Sequence, residues 1–193
     1  MRIRARTVAA ETEVRAALAA AGPWPGLTVT GTTVIGVDVP DDERAYWSLA
    51  LADLVDEVED RPPTGATDDR RTSVVIAAPS DEVFDSLIDQ ETFERWYGRP
   101  LKIDLYEGGN WSIEGGPAGT VGSLVADRRL VLADDTATLG WDLSEVDEGT
   151  TLTMAMRGGT QGEWLGWLCG LTQLRRLHEV PDRCPIWVTA DES

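Results

Sequence analysis

The residues of this chain with the most chemical potential are its large aromatic rings and its many carboxylates. Of the eight tryptophans, Trp96, Trp111, Trp141, Trp164 and Trp167 fall in the later, strand-rich part of the sequence. Large flat side chains on elements that cannot close perfectly on one another could wall a cavity for an apolar or aromatic molecule. Tyr97, beside Trp96, belongs with them, and Met154 and Met156 supply an adaptable wall. Leu168 and Leu171 follow Trp164 and Trp167 at helical spacing. These ten residues are the candidate ligand-binding set. The same rings and thioethers also suit plain core filling, and the two roles do not exclude one another.

Catalytic chemistry is harder to assemble. Asp104, Glu107, Glu114 and Asp142 could act as acids or bases, but strand alternation places Asp104, Glu114 and Asp142 opposite their apolar neighbours, hence toward solvent. His178 is the only histidine. It sits in the last turn of a helical stretch, where a cation suits the dipole, and no Ser or Cys partner is evident. Cys169 lies on an apolar helix face and has no basic neighbour to lower its pKa. Arg157, at a strand end, is a possible contact for an anionic ligand group. Gly108-Gly109 and Gly115-Gly116 read as hairpin turns rather than phosphate loops. No catalytic residue, metal site or cofactor is expected.

The elements that must position these groups can be read from periodicity. Residues 1–60 read as strand, helix, strand, helix. Arg2 to Val8 alternates; Ala10 to Ala21 is helical, with Gly22-Pro23 as its stop. Leu27 to Val39 is strand-like, with bends at Gly31 and Gly36. Pro40-Asp41-Asp42 opens a helix striped by Trp47, Leu51, Leu54, Val55 and Val58. Arg61 to Arg71 has Pro, Gly and charge without periodicity and reads as a linker. Ser73 to Ala77 is a strand. A helix follows, N-capped by Ser80 and closed near Trp96-Tyr97. Short alternating strands then run to Met156, including Leu101, Ile103 and Leu105, with Asp147-Glu148-Gly149 as a hairpin turn. Gln161 to Glu179 is the strongest helix, and Pro185 to Thr189 is a candidate short strand or seam cover. The expected division is 1–60 extension, 61–71 linker, 72–180 main domain and 181–193 tail.

Composition narrows the partners. The 193 residues carry 34 acids against 17 bases, a net charge of −17, and Lys102 is the only lysine. Such a surface repels nucleic acid and anionic membranes. No apolar run of about 18 residues or signal-peptide core is present, and two cysteines in no metal-like spacing suit a reduced, cytoplasmic setting. A Cys169–Cys184 bridge is not expected.

The order of motifs resembles the START-like, or SRPBCC, superfamily, in the branch named for the activator of the ninety-kilodalton heat-shock-protein ATPase. The resemblance is carried by Ala78-Pro79 with Val83-Phe84, Phe93-Glu94-Arg95-Trp96-Tyr97, Gly108-Gly109-Asn110-Trp111, Gly119-Thr120-Val121, Arg128-Arg129-Leu130-Val131, Gly149-Thr150-Thr151-Leu152-Thr153 and the helix from Gly162 to Leu177. It spans residues 70–180. It implies an α+β helix-grip fold: a curved antiparallel sheet wrapped around a long C-terminal helix, with a cavity between them and two short helices near one end. The expected function is non-catalytic binding of a hydrophobic or aromatic small molecule there. A co-chaperone-like protein-interaction module and a cyclase- or hydrolase-type enzyme are the alternatives. The expected assembly is a monomer or homodimer.

Overall fold

The computed structural model describes residues 2–7, 9–24, 26–30, 34–62, 64, 69–183 and 187–188. Its larger sheet is seven-stranded and antiparallel. It is built from β4 (Arg71–Ile76), β5 (Leu101–Ile103), β6 (Asn110–Ile113), β7 (Ala118–Val125), β8 (Arg129–Ala133), β9 (Ala137–Val146) and β10 (Gly149–Gly158), in the order β4-β10-β9-β8-β7-β6-β5. The alternation legible in the sequence sets the faces. Leu139, Trp141 and Leu143 on β9 and Leu152, Met154 and Met156 on β10 are buried, and they meet in register as Leu143–Leu152, Trp141–Met154 and Leu139–Met156. Their inner face grips α5 (Gln161–Glu179). This is the expected α+β helix-grip fold.

Residues 80–97 form two helices, α3 (Ser80–Ile88) and α4 (Gln90–Tyr97), as the family resemblance implies, where periodicity alone suggests one. Asp89 breaks the run by capping α4, its carboxylate accepting from the Thr92 N–H at 2.8 Å. Ser80 does not cap α3. Pro79 holds the cap position, and the Ser80 hydroxyl instead donates to Glu145 at 3.1 Å. At the other end of the pair, Gly170 admits α4 against α5: a Cβ there would lie 3.0 Å from Trp96 Cζ3.

The N-terminal region makes a second sheet from β1 (Arg2–Arg6), β2 (Thr28–Thr30) and β3 (Val34–Asp38), joined by β11 (Trp187–Val188) from the C-terminal region, in the order β11-β1-β3-β2. The stretch from Leu27 to Val39 is therefore a pair of antiparallel strands, not one bent strand; Gly31 lies outside the described residues. The Pro185-to-Thr189 reading holds as a strand over Trp187–Val188. Leu105 lies beyond the end of β5 and is 51% exposed. Cys184 also falls outside the described residues, and Cys169 is a free thiol.

Two apolar cores share one helix. α1 (Glu11–Ala21) and α2 (Arg44–Val58) cover the small sheet, and Leu51, Ala52, Leu54 and Val55 of α2 join that core, while Leu49 joins the larger one. Trp47 packs into the smaller core beside Trp24, with ring centroids 5.5 Å apart, rather than onto the main domain. α2 lies along the back of α5, so α5 is covered on both sides and Thr172, Gln173, Arg175 and Arg176 are all buried.

Buried guanidinium groups need counter-charges. Asp56, fully buried on α2, receives Arg175 at 2.5 Å, Arg176 at 2.9 Å and Arg61 at 3.3 Å. Glu59 takes Arg176 at 3.2 Å and also accepts from the Thr7 hydroxyl, tying β1's end to the cluster. Arg61 closes it by pairing with Glu179. Three acids thus balance three arginines. Asp56→Ala would strand two buried arginines, and the expected loss is about 3–5 kcal/mol in urea unfolding. Asn at the same position keeps a hydrogen-bonding oxygen and should lose less.

Candidate functional site

A cavity of about 150 Å³ lies between the sheet and the N-terminal half of α5. Tyr97 reaches it from the end of α4, Trp111 from β6, Leu132 from β8, Leu139 from β9, Met156 from β10, and Gly166 and Trp167 from α5. Exposed Pro117 and Glu163 and half-buried Asp134 and Ala137 mark its mouth. Its size is that of a cavity able to hold one benzene ring. No lysine or arginine is among its lining residues.

Four of the ten residues expected to bind ligand meet here: Tyr97, Trp111, Met156 and Trp167. Trp96, Trp141, Met154, Trp164, Leu168 and Leu171 are buried in the larger core instead. The rings connect rather than separate. Phe93 contacts Trp96 and Tyr97, with centroids at 4.6 and 4.9 Å. Tyr97 lies 5.0 Å from Trp167, and Trp167 lies 5.4 Å from Trp141 in an edge-on contact. Core filling took most of the aromatic volume and left one ring-sized space at the chain's outer end. Burial pushes the Tyr97 hydroxyl above its usual pKa, against the opposing charge of Arg99, so it stays a neutral phenol.

The sequence reading missed Asp134, Glu163 and Gly166. Glu163 had a visible signal, because Thr160 and Glu163 stand in capping-box spacing. Both carboxylates are held by local caps. Glu163 Oε2 accepts from the Thr160 N–H at 2.5 Å and its hydroxyl at 2.8 Å. Asp134 Oδ1 accepts from the Thr136 N–H and hydroxyl, both at 2.7 Å, and from the Ala137 N–H at 2.8 Å. Burial pushes the Asp134 carboxyl up, but those three donors outweigh it and hold it below the ordinary carboxylate range. Such a group is a poor proton donor or acceptor near neutral pH.

The other candidate chemistry resolves in the same direction. Asp104, Glu107, Glu114 and Asp142 are exposed, and Arg157 is exposed at the end of β10. Burial pushes the Cys169 thiol far up, and its Sγ donates to the Ala45 carbonyl. His178 does have a serine partner: its Nε2 lies 3.0 Å from the Ser86 hydroxyl. That hydroxyl already donates to the Glu82 carbonyl at 3.0 Å, so Nε2–H must be the donor to Ser86. Ser86 is 2% exposed in the middle of α3. A serine whose proton is committed to a backbone carbonyl, with its oxygen accepting from the imidazole, is not an activated nucleophile. Among the described residues no three His, Cys, Asp or Glu side chains gather in a way that could hold a metal ion, and no helix is long and apolar enough to cross a membrane.

With this geometry in place, the relatives can be compared. Residues 77–166 match the family described as "Activator of Hsp90 ATPase homolog 1-like protein". This is the branch that the sequence motifs resemble. No curated protein matches the chain. Among solved structures, it is similar to the conserved protein EF2215 of unknown function from Enterococcus faecalis, at 21% identity and a TM-score of 0.54, over 60% of this chain and 74% of that one. DynU16, a protein of the dynemicin biosynthetic locus, aligns at 23% identity and a TM-score of 0.51, over 60% of this chain and 49% of that one. SSP2350 from Staphylococcus saprophyticus aligns at 14% identity and a TM-score of 0.50, over 58% and 92%. At these identities the neighbours show the fold.

His178 supplies a pH test. Burial lowers its pKa in the folded protein, against the opposing pull of Glu82 and Glu179. The unfolded chain therefore binds the proton more readily, and the neutral-histidine contribution to stability is complete above the unfolded pKa and fades as pH falls toward the folded one. Between about pH 7.5 and about pH 5.5 the melting temperature of the wild type should fall more steeply than that of His178→Gln, which can still donate to Ser86. Parallel slopes in thermal melts of the two proteins would contradict this.

Proposed function

We propose that this protein binds a small apolar or aromatic molecule, about one ring in size, in the sheet–helix cavity and does not transform it. The observation that carries the reading is the meeting of Tyr97, Trp111 and Trp167 with Leu132, Leu139 and Met156 around a space of about 150 Å³. Apolar walls with a few polar groups at the mouth are the usual make-up of a small-molecule site, although this one is below the usual size range of about 300–1,000 Å³. Larger ligands would need Met156 or the Tyr97–Trp167 pair to shift.

The absence of catalysis in this reading rests on the caps. Asp134 and Glu163 are the ionisable carboxylates of the cavity lining, and each spends one oxygen on a backbone cap that a proton-transfer cycle would disturb. A protein-docking role has less support. Leu27, Tyr46, Val75, Leu105, Tyr106, Val125 and Val146 are exposed among the described residues, but they are scattered along the sequence over several elements, and no observation joins them into a docking face.

Gly166 gives the sharpest test. It lines the cavity from the second turn of α5, and a Cβ placed on it would meet nothing within 4 Å. Helix propensity alone favours alanine there by about 1 kcal/mol. Gly166→Ala should therefore raise stability slightly and keep binding of a one-ring alcohol or hydrocarbon, read by quenching of tryptophan fluorescence. Gly166→Leu should fill the mouth and weaken that binding at least about tenfold while the fold persists. If no one-ring compound perturbs the wild-type fluorescence or its amide spectrum, the binding reading is wrong.

A further inference from the structure

The cavity combines two features that a purely apolar ligand would not need. Three aromatic rings line it, and so do two carboxylates, with no cationic side chain in the lining to neutralise them. Each carboxylate uses a single oxygen for its cap. Asp134 Oδ1 takes the donors from Thr136 and Ala137, and Glu163 Oε2 takes both from Thr160. Asp134 Oδ2 and Glu163 Oε1 have no hydrogen-bond donor among the described residues. Arg70, which reaches toward this end of α5, donates to the Gly158 and Gly159 carbonyls. Arg99, whose charge is felt at Tyr97, donates to the Gly115 carbonyl at 3.0 Å and is not among the lining residues. The lining itself therefore carries only negative charge, and its walls offer π faces. Carboxylates with aromatic rings are the combination that recognises an organic ammonium ion, through ion pairing and cation–π attraction.

We propose that the cavity selects a small organic cation, an alkyl- or arylalkyl-ammonium compound, with its charge between Asp134 and Glu163 and its apolar part against Tyr97, Trp111 and Trp167. This rests on the binding reading above and specifies the ligand class. The charge of the whole chain acts in the same direction: at −17 it concentrates cations near the mouth and repels anionic ring compounds. The Asp134 side chain is fixed by its three donors, so it needs little reordering to meet a cation. The cavity's volume limits the bound part to about a single ring or a trimethylammonium head.

The test uses three soluble one-ring probes of matched size and different charge: benzylammonium, benzyl alcohol and benzoate. Binding to the full chain is followed by tryptophan fluorescence and calorimetry at low and moderate salt. Benzylammonium should bind at least about fivefold more tightly than benzyl alcohol, with the gap narrowing as salt rises, and benzoate should bind least. Asp134→Asn and Glu163→Gln keep the oxygens that make the caps, so both should fold. Each should weaken benzylammonium by about threefold to fivefold and leave benzyl alcohol unchanged. If the alcohol binds as well as the ammonium compound, or the two variants lose both probes equally, the cation assignment is overturned and simple apolar binding stands. If none of the three probes binds, both readings fall together.

Discussion

The arrangement of this molecule depends on the ion cluster between α2 and α5. A helix gripped by a curved sheet normally turns its other side to water. Here α2 lies on that side, and the polar residues of α5 that would face solvent are enclosed. Arg175 and Arg176 tolerate enclosure because Asp56 and Glu59 meet them at hydrogen-bonding distance, and Arg61 joins Asp56 to Glu179. Such clusters add little net stability compared with an apolar contact, but leaving one partner buried without the other is costly. Sliding α2 by one turn would leave buried charges unmatched. The cluster therefore sets where the N-terminal layer sits, and the apolar residues of α2 then complete two cores at once.

Pinning α5 from behind has consequences at its other end. The helix begins at a capping box, Thr160 with Glu163, whose glutamate also stands at the mouth of the cavity. Three residues further on, Gly166 leaves the mouth open, and Trp167 follows as the wall that contacts Tyr97. Gly170, one turn later, lets Trp96 press against the helix backbone. One face of one helix thus carries the cap, the opening, the aromatic wall and the close-packed seam in order. The cavity is small because the seam is tight: Trp96, Trp141 and Trp164 are each at most 2% exposed and fill what a looser helix grip would leave empty.

Much of this was legible from residue patterns. Period-two alternation gave the meander and correctly sent Asp142 of β9 outward, because a strand with one buried face has little freedom in register; Asp104 and Glu114 are also exposed, but they lie just beyond the ends of β5 and β6, where alternation no longer applies. The long helix was plain from its leucines and tryptophans. Three things were hidden, each for a physical reason. The run from Ser80 to Tyr97 carries a continuous helical periodicity, and only the side-chain cap at Asp89 divides it. Arg175 and Arg176 look like ordinary solvated residues of a last helical turn, and nothing local announces that Asp56, more than a hundred positions away, will cover them. Within the aromatic set, sequence separates inward from outward residues but not wall from filler, since both face the same way. That distinction depends on how closely α4 and α5 approach, which Gly170 decides.

The segment matching the family runs from residue 77 to residue 166, so it contains strands β5 to β10, the helix pair and the start of α5, while β4, Trp167 and the arginines of the ion cluster lie outside it. The division has a physical meaning. The matched part supplies every cavity-lining residue except Trp167, and the part outside it closes the back of the helix and draws β11 into the N-terminal sheet beside β1. The cavity's chemistry therefore does not need the added layer to supply a side chain, since every lining residue lies between Tyr97 and Trp167. What the layer supplies is rigidity. Covering α5 from both sides opposes its moving away from the sheet, and on the binding reading proposed above this leaves Met156 and the Tyr97–Trp167 contact as the limits on ligand size. For the ligand class proposed above, discrimination would then fall to charge at the mouth and ring contact within, which a narrow cavity separates more sharply than a deep, yielding one.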